Sequence, residues 1–318
     1  MEIERTIAEL TRHRPERDTL LTVGVFDGVH LGHQQLIGRL VGEASARGCL
    51  SGVVTFSRHP KSLLSPDGNL ARLTTVEERT HLLKGLGVDL VVSLSFTTEL
   101  AALGARQFVL LLVEHLRMRG LVVGPDFALG RGREGDFDTL RVLGDELGFT
   151  VEMEYPVTVD GSIVSSTAVR SAIARGDMAR ATKLLGRRFR LSGTVEGGRE
   201  RGHWLGYPTA NLRVDEQQAL PVDGVYATIS YLQGGAYASV TNIGFRPTFA
   251  ETGRTIEVFL IDFDDDIYGE EVTIELVERL RGEIRFESAE ELATQIGKDV
   301  EQARALLKDT LACVAKDG

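Results

Sequence analysis

The hydrophobic pattern of this chain changes kind once, near Leu185-Gly186, and no other feature limits its possible folds as much. Before that point, short apolar runs alternate with helical stretches. The runs LLTVGVF (20–26), LSGVVTF (50–56), DLVVSLSF (89–96) and LVVGPDF (121–127) are Val-rich and lack polar alternation, as in strands covered on both faces. Between them, 33–48, 75–87, 106–120 and 138–148 carry apolar residues at three- and four-residue spacing and end at Gly, which predicts helices. Thr75 with Glu78 has the spacing of a capping box. Alternation of this kind predicts a parallel sheet with crossover helices. After residue 186 the runs 188–196, 224–231, 237–244, 255–263 and 271–280 are β-branched and aromatic, with turn signals and no helix between them. That pattern predicts an antiparallel barrel or sandwich, followed by a helix from Ser288 to about Leu311.

At 318 residues the chain exceeds the size at which single cores stop growing. Two domains are expected, 1–186 and 187–318. The two cysteines, Cys49 and Cys313, form no Cys-x-x-Cys, so a reducing cytoplasm is the simplest setting. The first residues are charged and no apolar run approaches the roughly 20 residues that span a bilayer, which argues against secretion and membrane insertion. A net charge of -10 argues against a nucleic-acid binder, whose affinity comes from clustered Lys and Arg. Nothing in the sequence fixes an oligomeric state.

The segment from Thr22 to His33, TVGVFDGVHLGH, sits where the first strand ends and the first helix begins, the ligand-binding edge of an open parallel sheet. Gly28 and Gly32 permit close backbone approach to a phosphate, and the helix start offers free N–H groups. Two imidazoles three residues apart, His30 and His33, are spaced to serve one phosphoryl group, whose transfer is catalysed mostly by charge stabilisation. The alternatives are ordinary histidines at a helix start, or a zinc pair lacking an obvious third ligand. Ser165-Ser166-Thr167, with Arg170 a turn on, form a phosphate site or a plain N-cap, roles that coexist. The literal G-x-G-x-x-G at Gly130–Gly135 is discounted as a dinucleotide motif because it lacks the immediate strand-to-helix turn. No P-loop motif occurs.

In the second half, Gly206-Tyr-Pro208-Thr209-Ala-Asn211 places a hydroxyl and an amide oxygen two residues apart. They are hard ligands of the kind magnesium takes, or loop punctuation. Glu257 stands among apolar residues in the run 255–263. Burial would raise its pKa and a metal would lower it, so the setting suits a general base; the alternative is a surface strand residue. Asp262, Asp264, Asp265 and Asp266 read as a solvated turn.

Taken together, these segments resemble a known family. Gly24-Val-Phe26-Asp27-Gly28-Val-His30-Leu-Gly-His33 is similar to the H-x-G-H signature of the nucleotidylyltransferase superfamily, in the form used by bacterial bifunctional riboflavin kinase/FAD synthetases. His59-Pro60, Leu73-Thr74-Thr75 with Glu78-Arg79, Gly124-Pro-Asp126-Phe127, Ser165–Arg170, the 206–211 segment, Gly224-Val-Tyr226, Asn242–Phe249 and 255–263 follow in the family's order.

The resemblance implies a Rossmann-like nucleotidyltransferase domain, then a small antiparallel Greek-key β-barrel with a C-terminal helix. It implies phosphorylation of riboflavin to FMN in the second domain and adenylylation of FMN to FAD in the first, with ATP as co-substrate and Mg2+ bridging phosphates. His30 and His33 would contact the ATP phosphates, with Gly24, Phe26, Asp27, Gly28, Asp126, Ser165, Ser166, Thr167 and Arg170 completing that nucleotide site. Gly193, Gly206, Pro208, Thr209 and Asn211 would bind the second ATP, Thr209 and Asn211 its magnesium, and His59, Pro60, Phe127 and Arg246 flavin. Glu257 would be the kinase base. The chain departs from the family pattern at Leu129, Val169, His203 and Phe259. A flavin-binding regulatory module that has lost one or both activities is the competing expectation.

Overall fold

A computed structural model describes residues 2–58, 70–197, 207–245 and 254–317, without the side chains of 2 and 313–317. The chain divides into two compact units, Met1–Ser166 and Thr167–Gly318.

The first unit runs α1 (Glu2–Arg12), β1 (Thr19–Val23), α2 (Leu31–Ala46), β2 (Leu50–Phe56), α3 (Val76–Gly85), β3 (Leu90–Leu94), α4 (Thr98–Ala102), α5 (Ala105–Leu116), β4 (Met118–Val123), a 3-10 turn (Arg131–Arg133), α6 (Phe137–Leu147), β5 (Thr150–Met153) and a small hairpin of β6 (Thr158–Val159) and β7 (Ser162–Ile163). Strands β1 to β5 form one parallel sheet in the order β3-β2-β1-β4-β5. Consecutive residues go to opposite faces. Leu21, Val54 and Leu121 join one core with Phe108 and Leu112 of α5, while Leu20, Val53 and Val122 join another with Ile37 and Leu40 of α2. The unbroken apolar runs follow from this double coverage.

One expectation is corrected. The helix read over 106–120 stops at Leu116, because Arg117 turns left-handed at φ 52° and Met118–Gly120 already belong to β4. A helix at Glu2–Arg12 and a fifth strand at Thr150–Met153 were not expected. α1 carries only a thin apolar stripe, with Leu10 buried, but its Glu9 carboxylate also accepts the Ser95 N–H (2.9 Å) and hydroxyl (2.8 Å).

In the second unit, α7 (Ser166–Ala174, which begins at the division) and α8 (Met178–Leu185) precede the strands β8 (Phe189–Glu196), β9 (Ala210–Val214), β10 (Gly224–Leu232), β11 (Gly235–Phe245), β12 (Arg254–Leu260) and β13 (Glu271–Arg281), and α9 (Ala289–Asp317) ends it. The strands close into an antiparallel barrel in the order β10-β11-β12-β9-β8-β13. The expected α/β-then-β-barrel architecture with a C-terminal helix is what folds. One face of β10 and β11 packs on α9, with Val225, Ala227, Ile229 and Val240 meeting Val300, Ala303 and Leu307. Four buried hydroxyls bond one another: Thr228 to Ser239 and Thr241, and Ser230 to Ser239, each at 2.7 Å.

The division between Ser166 and Thr167 falls ahead of the expected boundary at 186, since α8 packs on β8 and β13. Its Met178, Ala181, Leu184 and Leu185 are all buried. Burying a large apolar side chain is worth about 1.5–3 kcal/mol, so removing three of them forfeits roughly 5–9 kcal/mol as an upper figure. A whole domain is stable by only about 5–15 kcal/mol. A fragment of residues 167–318 is therefore expected to unfold cooperatively, and one of 187–318 to melt far lower or not to fold. Thermal unfolding followed by circular dichroism compares them, and equal melting temperatures would show that α8 adds nothing.

Candidate functional site

β1 and β4 lie side by side in the sheet, and the winding of the chain reverses between them. Connections leaving such a pair diverge and open a crevice beyond the carboxyl ends of the strands. Two of the expected segments stand there, Gly24–His30 after β1 and Gly124–Phe127 after β4.

The first segment is contorted: Phe26 (φ 51°), Gly28 (φ 81°) and Val29 (φ 39°) all lie at positive φ. Gly28 adopts this freely, whereas a β-branched residue there costs on the order of 1–3 kcal/mol and persists only where its surroundings over-determine it. The surroundings do so through a reciprocal clamp with residues 73–79. Asp27 is 4% exposed, and its carboxylate accepts the N–H groups of Leu73 (3.0 and 3.1 Å) and Thr74 (3.2 Å). The Thr74 hydroxyl oxygen accepts the Gly28 N–H at 3.2 Å. Thr75 then caps α3 by accepting the Glu78 N–H at 3.1 Å, as its spacing predicts. From the next turn Arg79 reaches back, donating to the carbonyls of Val25 (2.7 Å) and Phe56 (2.8 Å). Ser166 adds a hydroxyl bond to the Asp27 carbonyl at 2.9 Å.

The loop delivers His30 to the N-cap of α2 with its Nδ1 accepting the His33 N–H at 3.3 Å. A neutral ring so engaged carries its proton on Nε2. The Nδ1 of His33 is shut away from solvent without a partner, so Nε2 is the edge that ring has to offer. The two rings stack at 3.6 Å and 16°, and Phe26 meets His33 edge-on at 5.1 Å. Burial holds His33 well below the usual imidazole range, and the nearby His30 and Arg79 add to the effect. The stacked pair therefore stands beside the N–H groups of a helix start, with His33 held neutral, an arrangement suited to charge on phosphoryl oxygens. For the zinc alternative, no group of three or more His, Cys, Asp or Glu gathers among the described residues.

Of the other residues expected here, Asp126 is exposed, with its carbonyl accepting from Arg133 at 2.7 Å, and Phe127 leans on the sheet core. Leu129 is a core residue, bridged to Gly135. The glycine loop presses on the start of α5, where a Cβ on Gly130 would come within 2.5 Å of the Ala105 nitrogen; it is a packing loop, as its discounting requires. Ser165 and Ser166 are half-buried and Thr167 exposed at the start of α7, with Arg170 one turn on and Val169 fully buried. His59 and Pro60 lie outside the described residues.

In the barrel, β9 pairs Asn211 with Glu257 of β12, and β11 pairs Asn242 with the same Glu257. Directly paired residues share a face with their Cβ atoms roughly 5 Å apart, so an amide, a carboxylate and an amide stand in one row, all half-buried. Thr209 precedes β9 by one residue and is half-buried, and Pro208 is exposed. Gly193 has a packing reason: a Cβ there would lie 2.1 Å from the Arg213 carbonyl oxygen of the adjoining strand. Phe259 packs edge-on against Tyr207 at 5.4 Å. Asp262 is more than solvated, since it pairs with Arg304 of α9. Gly206, His203 and Arg246 lie outside the described residues. Sequence reasoning passed over two residues of these sites. Arg79 was noted only within a motif, and Asn242 only as the first letter of a segment; the register that sets Asn242 beside Glu257 is a pairing no linear spacing displays.

Residues 12–168 match the family model described as FAD synthetase, and residues 185–307 the one described as riboflavin kinase. A bifunctional riboflavin kinase/FMN adenylyltransferase of Pseudomonas fluorescens is 43% identical over 296 residues, covering 92% of this chain and 94% of its own. The protein of that name from Escherichia coli (strain K12) is 41% identical over 306 residues, covering 96% and 97%. This chain belongs to the bifunctional riboflavin kinase/FMN adenylyltransferase family. The relative of the same name from Bacillus subtilis (strain 168), 34% identical over 293 residues, covers 90% of this chain and 91% of its own. A solved structure described as a macrolide-efflux protein from Streptococcus pneumoniae superposes with a TM-score of 0.86 at 31% identity, over 93% of this chain and 96% of that one. Among the described residues no helix is long and apolar enough to cross a membrane.

The setting of His33 has a thermodynamic signature. Its folded pKa lies below the ordinary 6.5, so as pH falls through 6.5 the unfolded chain takes up a proton that the folded chain refuses, and folded stability declines. The slope is capped at about 1.4 kcal/mol per pH unit. Carboxylates titrate mostly below this window. Urea unfolding between pH 7 and pH 5 is expected to show this decline for the first unit of the native chain, and a flatter profile in His33→Gln. Equal slopes would mean that His33 protonates freely in the folded protein.

Proposed function

We propose that the first unit transfers AMP from ATP to FMN, giving FAD and pyrophosphate, and that the barrel phosphorylates riboflavin to FMN with a second ATP, in the cytoplasm. Family membership supports both reactions. The observation that carries the assignment of residues is the stacked pair His30 and His33 at the switch point of a parallel sheet.

In adenylyl transfer an FMN phosphate oxygen attacks the α-phosphorus, and the bond from that phosphorus to the bridging oxygen of pyrophosphate breaks. His30 and His33 donate to the oxygens on which charge builds, aided by the N–H groups of the α2 start. Asp27 holds the loop, its carboxylate bonded to the Leu73 and Thr74 amides.

In the kinase half, the terminal ribityl hydroxyl attacks the γ-phosphorus as Glu257 takes its proton, and ADP leaves. Asn211 beside Glu257, with Thr209 close in sequence, forms a set of hard oxygens that fits magnesium. No cage of three or more acidic, His or Cys side chains gathers among the described residues, which fits an ion that keeps its waters and is shared with nucleotide phosphates. Magnesium, when bound, neutralises phosphate charge. The boundary between the catalytic halves is proposed near residue 186, with α8 packed on β8 and β13 of the barrel.

Loss of one transition-state donor costs roughly 100- to 1000-fold, so His33→Ala is expected to lower FAD formation by about that much while FMN formation continues at its usual rate. In Glu257→Gln the side chain keeps its shape but accepts no proton, and FMN formation is expected to fall about 100- to 10,000-fold, with supplied FMN still converted to FAD. Chromatographic resolution of riboflavin, FMN and FAD over time measures both. Parallel loss of the two products in either variant would defeat the separation of the sites, and near-normal kinase turnover in Glu257→Gln would leave Glu257 an ordinary strand residue.

A further inference from the structure

Arg79 is the least expected charge in the first unit. It is 4% exposed, its Nε is buried without a hydrogen-bond partner, and no carboxylate lies within salt-bridge distance of it among the described residues. Burying an ion without a contacting counter-ion costs several kcal/mol, and an apolar side chain would fill the same space without that cost. Its two remaining arms each end on a main-chain carbonyl at the tip of a strand. One is Val25, which precedes Phe26, whose ring meets His33; the other is Phe56, the last residue of β2. Thr55 sends its hydroxyl to the same Val25 carbonyl at 3.0 Å. The charge is balanced at a distance by Asp27, whose carboxylate holds the chain just ahead of α3. The fork thus fixes where the strained loop leaves the sheet and where the neighbouring strand ends.

We propose that Arg79 is a positioning residue for adenylyl transfer: by bracing the Val25 and Phe56 carbonyls it holds Phe26 against His33 and keeps the two imidazole edges aligned before substrate binds. This rests on the assignment of His30 and His33 above. Planarity matters as much as charge. A lysine is long enough to keep the cation but has no rigid fork to span two carbonyls, so Arg79→Lys separates the two contributions and Arg79→Met removes both.

Full-length Arg79→Lys, Arg79→Met and His33→Ala are to be compared in conversion of FMN and ATP to FAD, with riboflavin phosphorylation in the same samples as the control for the other unit. Arg79→Lys is expected to lose at least about 10-fold in kcat, with the KM for ATP and for FMN changed by less than about threefold, because an interaction made mainly at the transition state falls on kcat. Arg79→Met should lose more. Ring-proton resonances of His33, assigned by their disappearance in His33→Ala, should lose the shifts imposed by the stacked His30 ring and the Phe26 edge, a change that general loosening elsewhere would not produce. If Arg79→Met fails to fold, Arg79→Lys alone decides. A folded Arg79→Lys with wild-type kcat, or with its whole loss in KM, or with unmoved His33 resonances, overturns the proposal. Should His33→Ala itself keep full FAD formation, the assignment of the histidines fails instead.

Discussion

Much of the first unit depends on a loop that would not hold its own shape. Between β1 and α2 the backbone passes through three left-handed residues in four positions, one of them Val29. Left to itself, such a segment relaxes into ordinary extended or helical geometry. It is kept by bonds that run in both directions across a gap of nearly fifty residues, with Asp27 reaching forward and Arg79 reaching back. The strained geometry in turn sets His30 at the N-cap, turns its Nδ1 onto the His33 amide and stacks the two rings. Strain, clamp and histidine pair form one unit.

The barrel solves its positioning problem differently. Asn211, Glu257 and Asn242 sit on regular strands, and the pairing of three neighbours fixes their spacing. A closed barrel has no free edge along which a strand can slip, and a slip of one residue would turn the whole row to the other face. The buried hydroxyls of Thr228, Ser230, Ser239 and Thr241 bond only across β10 and β11 in their present register, which ties the inner face to the same alignment. Backbone ladders and an interior polar network therefore do for this site what a side-chain clamp does for the other.

Much of this was legible in the sequence, unevenly. The first four parallel strands and the five longest barrel strands showed because each is a β-rich run bounded by turn residues, and the two halves separated because one has helices between its strands. β9 was hidden: ANLRV is short and half polar, and it is a strand because β8 and β12 pair with it on either side. β5 is a four-residue edge strand, held by one neighbour. The break at Arg117 escaped notice because nothing in RQFVLLLVEHLRMRG interrupts the helical spacing; β1, which takes up Met118 and its followers, decides it. At the sites, the histidines were readable from their place at a strand end, but the partners of the Asp27 carboxylate, the amides of Leu73 and Thr74, lie far along the chain, where no spacing displays them.

Arg79 has one more consequence. Guanidinium stays protonated throughout any pH at which the protein folds, and mobile ions screen a buried charge far less than an exposed one. Surface lysines near an anionic ligand lose their pull as salt rises, and an exposed histidine gains or loses its charge with a small drift in acidity. The cation beneath the Val25 carbonyl does neither. It grips the carbonyls at the mouth of the sheet with a charge whose state is set by the fold itself, the same in dilute buffer as in concentrated salt.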